Sequence, residues 1–135
     1  MSEASSARLT LDVLPDTFAI CRLDANEPIP AWATARPFFA VVRTRKELSV
    51  MCAAELVPPS VKASREWRAL EVRGPFDFDL VGIMLSIASP LAEAGVSMMP
   101  VATYDTDYVL VRTPQLEQAI AALRAAGHTV LEIDG

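Results

Sequence analysis

The sequence GPFDFDLVGI occupies residues 74–83, and LAEAGV (91–96) and TYDTDYVLV (103–111) follow it. Together they predict a strand end, a helix with a glycine in its first turn, a second strand, and a hairpin rich in acids. This order puts the first N–H groups of a helix within reach of carboxylates from a neighbouring turn. Such groups can hold both ends of a zwitterion, because the amides bind a carboxylate and the acids bind an ammonium group.

The composition predicts a folded globular protein without nucleic-acid or membrane partners. Hydrophobic residues make up 52% of the chain and charged residues only 21%, which is unlike a disordered protein. The net charge of −5 disfavours nucleic acid, because phosphate binding requires clustered Lys and Arg. Residues 1–7 lack the pattern of an export signal, and the longest apolar stretch, 80–92, is too short to span a bilayer.

The two cysteines, Cys21 and Cys52, each lie in an apolar run. This setting predicts buried free thiols rather than a disulfide or a redox pair. Together with the missing export signal, it indicates a cytoplasmic location.

The first half of the chain is predicted to consist of strands joined by loops. Alternating apolar and polar residues predict two strands joined by a tight hairpin at Pro15-Asp16, and two more strands follow. The four strands are Leu9–Leu14, Phe18–Leu23, Phe38–Val42 and Leu48–Ala53. Residues 24–37 are expected to be a loop with at most one helical turn near Trp32, and Val57–Arg65, which contains Pro58-Pro59, is predicted to be a connector. We therefore expect two domains, 1–64 and 65–135.

The second half predicts a regular α+β pattern. Asp79 is the predicted N-cap of a helix that Pro90 should kink or split and that Gly95 ends. A second helix should start with Thr113 as N-cap and stop at Gly127. The predicted strands are Trp67–Arg73, Val96–Thr103, Tyr108–Arg112 and His128–Ile133. The resulting order is βαββαβ, a ferredoxin-like antiparallel sheet with two helices on one face.

The candidate site residues also have simpler explanations. Gly82 is explained at least as well by close packing of the helix on its sheet, and the turn before Asp107 by a polar hairpin tip. Asp77, Asp79, Asp105 and Asp107 could form two Asp-x-Asp pairs for Mg²⁺ or Ca²⁺, but this spacing alone is weak. His128 is predicted to be exposed at a strand start. No nucleophile or cofactor motif is present, so neither a catalytic residue nor a cofactor is predicted.

Residues from about Trp67 to Val130 resemble the C-terminal ACT domain of a small bacterial family with two ACT domains. The motifs that carry the resemblance are Gly74-Pro75-Phe76, Leu80-Val81-Gly82-Ile83, Pro90 to Ser97, and Thr103 to Tyr108. The first half is similar to a degenerate, strand-rich ACT-like unit. Related ACT pairs occur in the regulatory regions of aspartate kinases and in the cytosolic arginine sensors of animal cells.

The resemblance implies a regulatory module that binds an amino acid between ACT units. Val81 and Gly82 would offer backbone amides, capped by Asp79, while Thr103 and Asp107, beside Asp105, would hold the amine. Val96, Ser97 and Met98 would border the ligand. We expect a homodimer that signals to an unidentified protein partner. The alternatives are a ligand-free assembly protein and, less favoured, a small enzyme using His128 and the acids at 105 and 107.

Overall fold

A computed structural model describes residues 8–73 and 80–132 of the 135-residue chain. The strands are β1 (Thr10–Leu23), β2 (Ala40–Arg43), β3 (Leu48–Ala53), β4 (Ala63–Val72), β5 (Met98–Ala102), β6 (Asp107–Arg112) and β7 (Thr129–Glu132). The α-helices are α1 (Leu80–Glu93) and α2 (Leu116–Ala125). Within the two described ranges, no helix has the length and apolar character needed to cross a bilayer.

The chain divides into two compact units. The terminal unit takes in the residues up to Pro15 and those from Arg68 onward, and the central unit is Asp16–Trp67. Strands β1 and β4 each belong to both units, with one end in the terminal unit and the other end in the central unit. The residues before Pro15, which the sequence grouped with the first domain, therefore lie in the same unit as the second half of the chain.

The terminal unit has the predicted βαββαβ order, formed by β4, α1, β5, β6, α2 and β7, so the α+β fold class is confirmed. Its strands run in the spatial order β7-β1-β4-β6-β5. In the antiparallel β5–β6 hairpin, Met98 lies opposite Val111 and Ala102 opposite Asp107. Strand and helix side chains share one core, which includes Leu11, Leu70, Val72, Ile83, Ile87, Val109, Val111, Ile120 and Leu123.

The hairpin predicted at Pro15-Asp16 is wrong, because β1 is one continuous strand. Its first part pairs in parallel with β7 at residues 10–13, and its last part pairs with β3 at residues 18–23. Pro15 lies between these two pairings, where its missing N–H interrupts neither ladder. The carbonyl oxygen of Leu14 accepts hydrogen bonds from the Arg68 guanidinium, the shorter one at 2.8 Å.

Both helices of the terminal unit end as the glycines predict. Gly95 and Gly127 have φ values of 76° and 101°, the left-handed region that glycine enters at little cost. After α1, the N–H of Val96 donates to Leu91 O at 2.9 Å and that of Gly95 to Ala92 O at 3.0 Å, a Schellman motif. The start of the second helix differs from the prediction, because Thr113 begins a 3-10 turn and provides no side-chain cap.

The central unit has the strand order β2-β3-β1-β4. The 3-10 turns Ala31–Thr34 and Ala54–Leu56 pack on one face of this sheet. The core of the central unit includes Ala19, Cys21, Ala33, Leu48, Val50, Cys52 and Val57. The turn near Trp32 and strand β3 are confirmed. β2 starts later than predicted because Phe38 has a φ of 63°, outside the strand region, and packs edge-on against Phe18 with ring centroids 5.1 Å apart.

Strand β4 begins at Ala63, inside the predicted connector. The stretch Ser64-Arg65-Glu66 has no apolar alternation that would have indicated a strand. It is held instead by tertiary hydrogen bonds. The N–H of Arg22 donates to Lys62 O at 2.9 Å, and the Arg65 guanidinium donates to the carbonyl oxygens of the preceding loop, including Val61 O at 2.8 Å.

The prediction of buried free thiols is confirmed, since Cys21 and Cys52 are each 1% exposed. Burial raises the pKa of the Cys21 thiol to about 11 from the ordinary 9.0, and it also raises the pKa of Cys52. A raised pKa in the fold means that the unfolded chain loses its thiol protons first as the pH rises.

Below pH 9.0, the two thiols should therefore leave the free energy of unfolding constant. Between pH 9.0 and about pH 11, they should lower it. Urea unfolding at a series of pH values should show this fall, and Cys21→Ala should make the slope shallower. An unchanged slope in the variant would show that Cys21 keeps an ordinary pKa in the folded chain.

Candidate functional site

Asp107 is the first residue of β6 and is only 5% exposed. Side chains alternate along a strand, so Asp107 shares its face with Val109 and Val111. Both valines belong to the core formed with α1 and α2. The Asp107 carboxylate therefore lies on the helix-covered face of the sheet rather than in bulk water.

The carboxylate of Asp107 makes no hydrogen bond or ion pair with any residue in the described ranges. The other buried acid of the terminal unit, Asp12, is satisfied: its two oxygens accept from Nε and Nη2 of Arg73 at 2.8 and 2.9 Å. Asp12 is 8% exposed, so burial is similar in the two cases. No fully buried side-chain oxygen of the described residues lacks a hydrogen-bond partner, so Asp107 is not an unsatisfied buried charge. A carboxylate at the edge of an apolar core can accept a charge-assisted hydrogen bond from a ligand.

The start of α1 lies at the same end of the sheet as Asp107. β4 ends at Val72, and the hydroxyl of Thr106 donates to the Val72 carbonyl oxygen, so the beginning of β6 lies beside the end of β4. The chain leaves β4 here and enters α1 at Leu80. Gly82 is half-buried in the first turn of the helix, which contains no acidic side chain. The N-terminus of a helix favours an anion in this position.

The turn between β5 and β6 is satisfied by its own atoms. The hydroxyl of Thr103 accepts from the N–H of Thr106 at 3.1 Å and donates to Thr106 O at 3.0 Å. Thr103 and Asp105 are exposed, and Tyr104 is fully exposed. The turn therefore orients β6 and the buried Asp107, and of its polar side chains only Thr106 bonds to a described residue outside the turn, at the Val72 carbonyl.

The predicted ligand-binding residues do not form one cluster within the terminal unit. Val81, Gly82 and Asp107 lie at one end of the sheet, while Val96, Ser97 and Met98 follow the C-terminal end of α1. Met98 is four residues along β5 from Ala102, the partner of Asp107, a distance of about 13 Å at 3.3 Å per residue. One small ligand held by a single unit cannot contact both groups. The predicted cap, Asp79, lies outside the described residues.

The described ranges contain no group of three or more His, Cys, Asp or Glu side chains suited to a metal ion. Asp77 and Asp79, half of the Asp-x-Asp alternative, lie outside those ranges. Asp105 is exposed and Asp107 is buried, so this second pair occupies two different environments.

The prediction that His128 is exposed is wrong, since it is 5% exposed and both ring nitrogens are hydrogen-bonded. Nδ1 accepts from the N–H of Leu9 at 3.1 Å, so Nε2 carries the proton and donates to Ser86 O at 2.7 Å. Ser86 is four residues before Pro90, which has no N–H to donate to that carbonyl within α1. His128 replaces this missing donor, and α1 is not split at Pro90. The ring is thus fully engaged in structure.

These features define a small α+β domain with a candidate site at one end of its sheet, formed by a buried acid and the start of a helix. A family model described as an ACT domain matches residues 62–125, and a model for an N-terminal domain matches residues 16–60. Neither model describes a catalytic domain. The chain belongs to the ACT domain family.

Known relatives include sensors and regulatory subunits. The bovine (Bos taurus) "Cytosolic arginine sensor for mTORC1 subunit 1" is 30% identical over 109 residues, which cover 73% of this chain and 33% of that protein. The chain thus spans about a third of the length of this relative. A crystal structure of an Agobacterium tumefaciens protein is 39% identical, with a TM-score of 0.91 and 96% of each chain covered.

The fold also matches the ligand-free regulatory subunit of aspartate kinase from Thermus thermophilus, with a TM-score of 0.59. The match covers 90% of this chain and 99% of that subunit. At 14% identity, this likeness shows the fold alone. The chain therefore shares its fold with a regulatory subunit, and one of its relatives is an arginine sensor.

Proposed function

We propose that the chain is a non-enzymatic regulatory module that binds a free amino acid. The ammonium group binds the carboxylate of Asp107, and the ligand carboxylate binds backbone N–H groups of Val81 and Gly82 at the start of α1. The observation that carries this proposal is the placement of Asp107, an acid that is 5% exposed on the helix-covered face of the sheet and has no arginine or lysine partner among the described residues. The arginine sensor among the relatives supports the ligand class.

The proposed assembly is a cytoplasmic homodimer that regulates a protein partner. β5 is the last strand in the sheet order of the terminal unit, and α1 has no charged residue before Glu93. Leu85 on this helix is 38% exposed, so an apolar surface is available to a second copy. Residues Val96 to Met98 would border a ligand held by the neighbouring chain, which accounts for their distance from Asp107. Ligand binding would favour one packing of the dimer and so alter the partner.

The sequence boundary between domains 1–64 and 65–135 remains part of this proposal. The two matching family models meet between residues 60 and 62, close to that boundary. A second candidate function, a ligand-free assembly protein, rests on the same apolar surface of α1. It differs in requiring no ligand at Asp107.

Isothermal titration of the full chain with each of the twenty amino acids tests the proposal. We expect saturable heat with at least one amino acid, accompanied by chemical-shift changes at the amides of residues 81, 82 and 107. Flat titrations at millimolar concentrations of all twenty, together with an intact dimer, would favour the assembly function instead.

A further inference from the structure

The central unit contains a cavity of about 330 Å³ that is separate from the proposed amino-acid site. Its polar lining residues are Arg22, Glu47, Ser49, Lys62 and Ser64, and Ile20, Cys21 and Ala63 complete the lining. All of these residues belong to the central unit. A cavity of this volume is at the lower end of the range of small-molecule pockets.

Three neighbouring strands bring the polar lining together. Ser49 of β3 lies opposite Arg22 of β1. On the other side of β1, the N–H of Arg22 donates to Lys62 O at 2.9 Å, which places the beginning of β4 and Ser64 beside it. A guanidinium, an ammonium and two hydroxyl groups thus surround one opening.

The lining offers mainly hydrogen-bond donors. Nη2 of Arg22 donates to Lys46 O at 3.0 Å, and Nη1 lies 4.0 Å from Oδ1 of Asp24 in an exposed ion pair, so the guanidinium is held in place and keeps further N–H groups that can donate. The hydroxyl of Ser64 accepts from Trp67 Nε1 at 2.9 Å, so its own hydrogen is available to donate. The ammonium of Lys62 makes no hydrogen bond or ion pair within the part of the chain that the structure describes. Glu47 is the one acidic side chain of the lining.

We infer that this cavity binds a small organic anion, a carboxylate or phosphate ester with a short apolar part. Arg22 and Lys62 against Glu47 give the lining a charge of +1 in a chain whose net charge is −5. Asp24, the ion-pair partner of Arg22, is exposed and lies outside the lining, so Lys62 provides most of the local attraction for an anion. Arg22, Lys62 and the two serine hydroxyls bind the anionic group, as donors of charge-assisted hydrogen bonds. Ile20 contacts the apolar part. The inference does not depend on the amino-acid site at Asp107.

Amide chemical shifts of the full chain, titrated separately with inorganic phosphate and succinate, test this site. We expect saturable shifts at residues 22, 49 and 64, and no comparable shift at residue 107. Lys62→Gln should weaken binding about tenfold, as expected for one charge-assisted contact. Lys46→Gln is the matched control, because its side chain does not line the cavity, and it should leave the affinity within about twofold.

The Glu47→Gln variant tests whether the cavity binds a simple anion or a zwitterion. Removing the carboxylate should tighten the binding of phosphate and succinate, because a repulsive charge is lost. Weaker binding of both probes in this variant would overturn the inference. So would equal losses in the Lys62 and Lys46 variants, or titrations that produce no shift at residues 49 and 64 at millimolar probe.

Discussion

Replacing His128 with alanine is expected to lower the free energy of unfolding by about 3 kcal/mol, because two buried backbone groups lose their partners. These groups are the N–H of Leu9 and the carbonyl of Ser86, whose residues are 7% and 1% exposed. Urea unfolding followed by circular dichroism measures the change. His128→Gln can keep the donor to Ser86, and His128→Asn can keep the acceptor for Leu9, so each should lose only part of the stability.

A double-mutant cycle with Pro90 tests the reason for this loss. Pro90→Ala restores an N–H four residues after Ser86, which then donates to the Ser86 carbonyl within α1. His128→Ala should therefore cost about 1 kcal/mol less in the Pro90→Ala background. Losses that simply add would mean that His128 does not compensate for the proline, and that its contribution comes from packing and from the hydrogen bond of the Leu9 N–H.

Replacing Asp107 with asparagine is expected to leave stability nearly unchanged and to remove ligand binding. The free energy of unfolding of the ligand-free chain should change by less than about 1 kcal/mol, because the carboxylate is neither an unsatisfied buried charge nor part of an ion pair among the described residues, and the amide has the same shape. Affinity for the amino acid should fall roughly tenfold to a hundredfold, the range for losing a hydrogen bond to a charged group. Urea unfolding and calorimetric titration of the same variant measure the two effects.

Two other acids are matched controls for Asp107. Asp12→Asn should lower stability, because Asp12 is buried and bound by the Arg73 fork. Asp105→Asn, in the exposed turn two residues earlier, should change neither stability nor affinity appreciably. If Asp107→Asn destabilised the chain as Asp12→Asn does, Asp107 would be a structural residue and not a ligand contact.

Much of the fold could be predicted from the sequence because its signals are local. The βαββαβ order follows from periodicity and from the glycines at 95 and 127, which stop each helix in the left-handed conformation that few other residues adopt readily. The buried face of α2 includes Leu116, Ile120 and Leu123, whose spacing of four and three residues is likewise a local signal of a helix. The sequence also indicated Asp107 as a candidate site residue, because this acid stands at the beginning of an apolar strand.

The features that the sequence missed depend on partners far away in the chain. Pro15 looked like a turn, yet β1 continues through it because its two pairings lie on either side. His128 looked exposed, yet its ring joins Leu9 and Ser86, which are 119 and 42 residues away.

The sequence by itself determined the types of the elements, their order and the residues that end them, since these depend on backbone preferences and on the periodicity of apolar side chains. Only the tertiary structure decided which buried polar groups have partners. Asp12 and Asp107 are both acids on buried strands, and only the first has an arginine fork within reach. A hydrogen bond requires two atoms at about 3 Å, and no local pattern reports that distance for residues far apart in the chain.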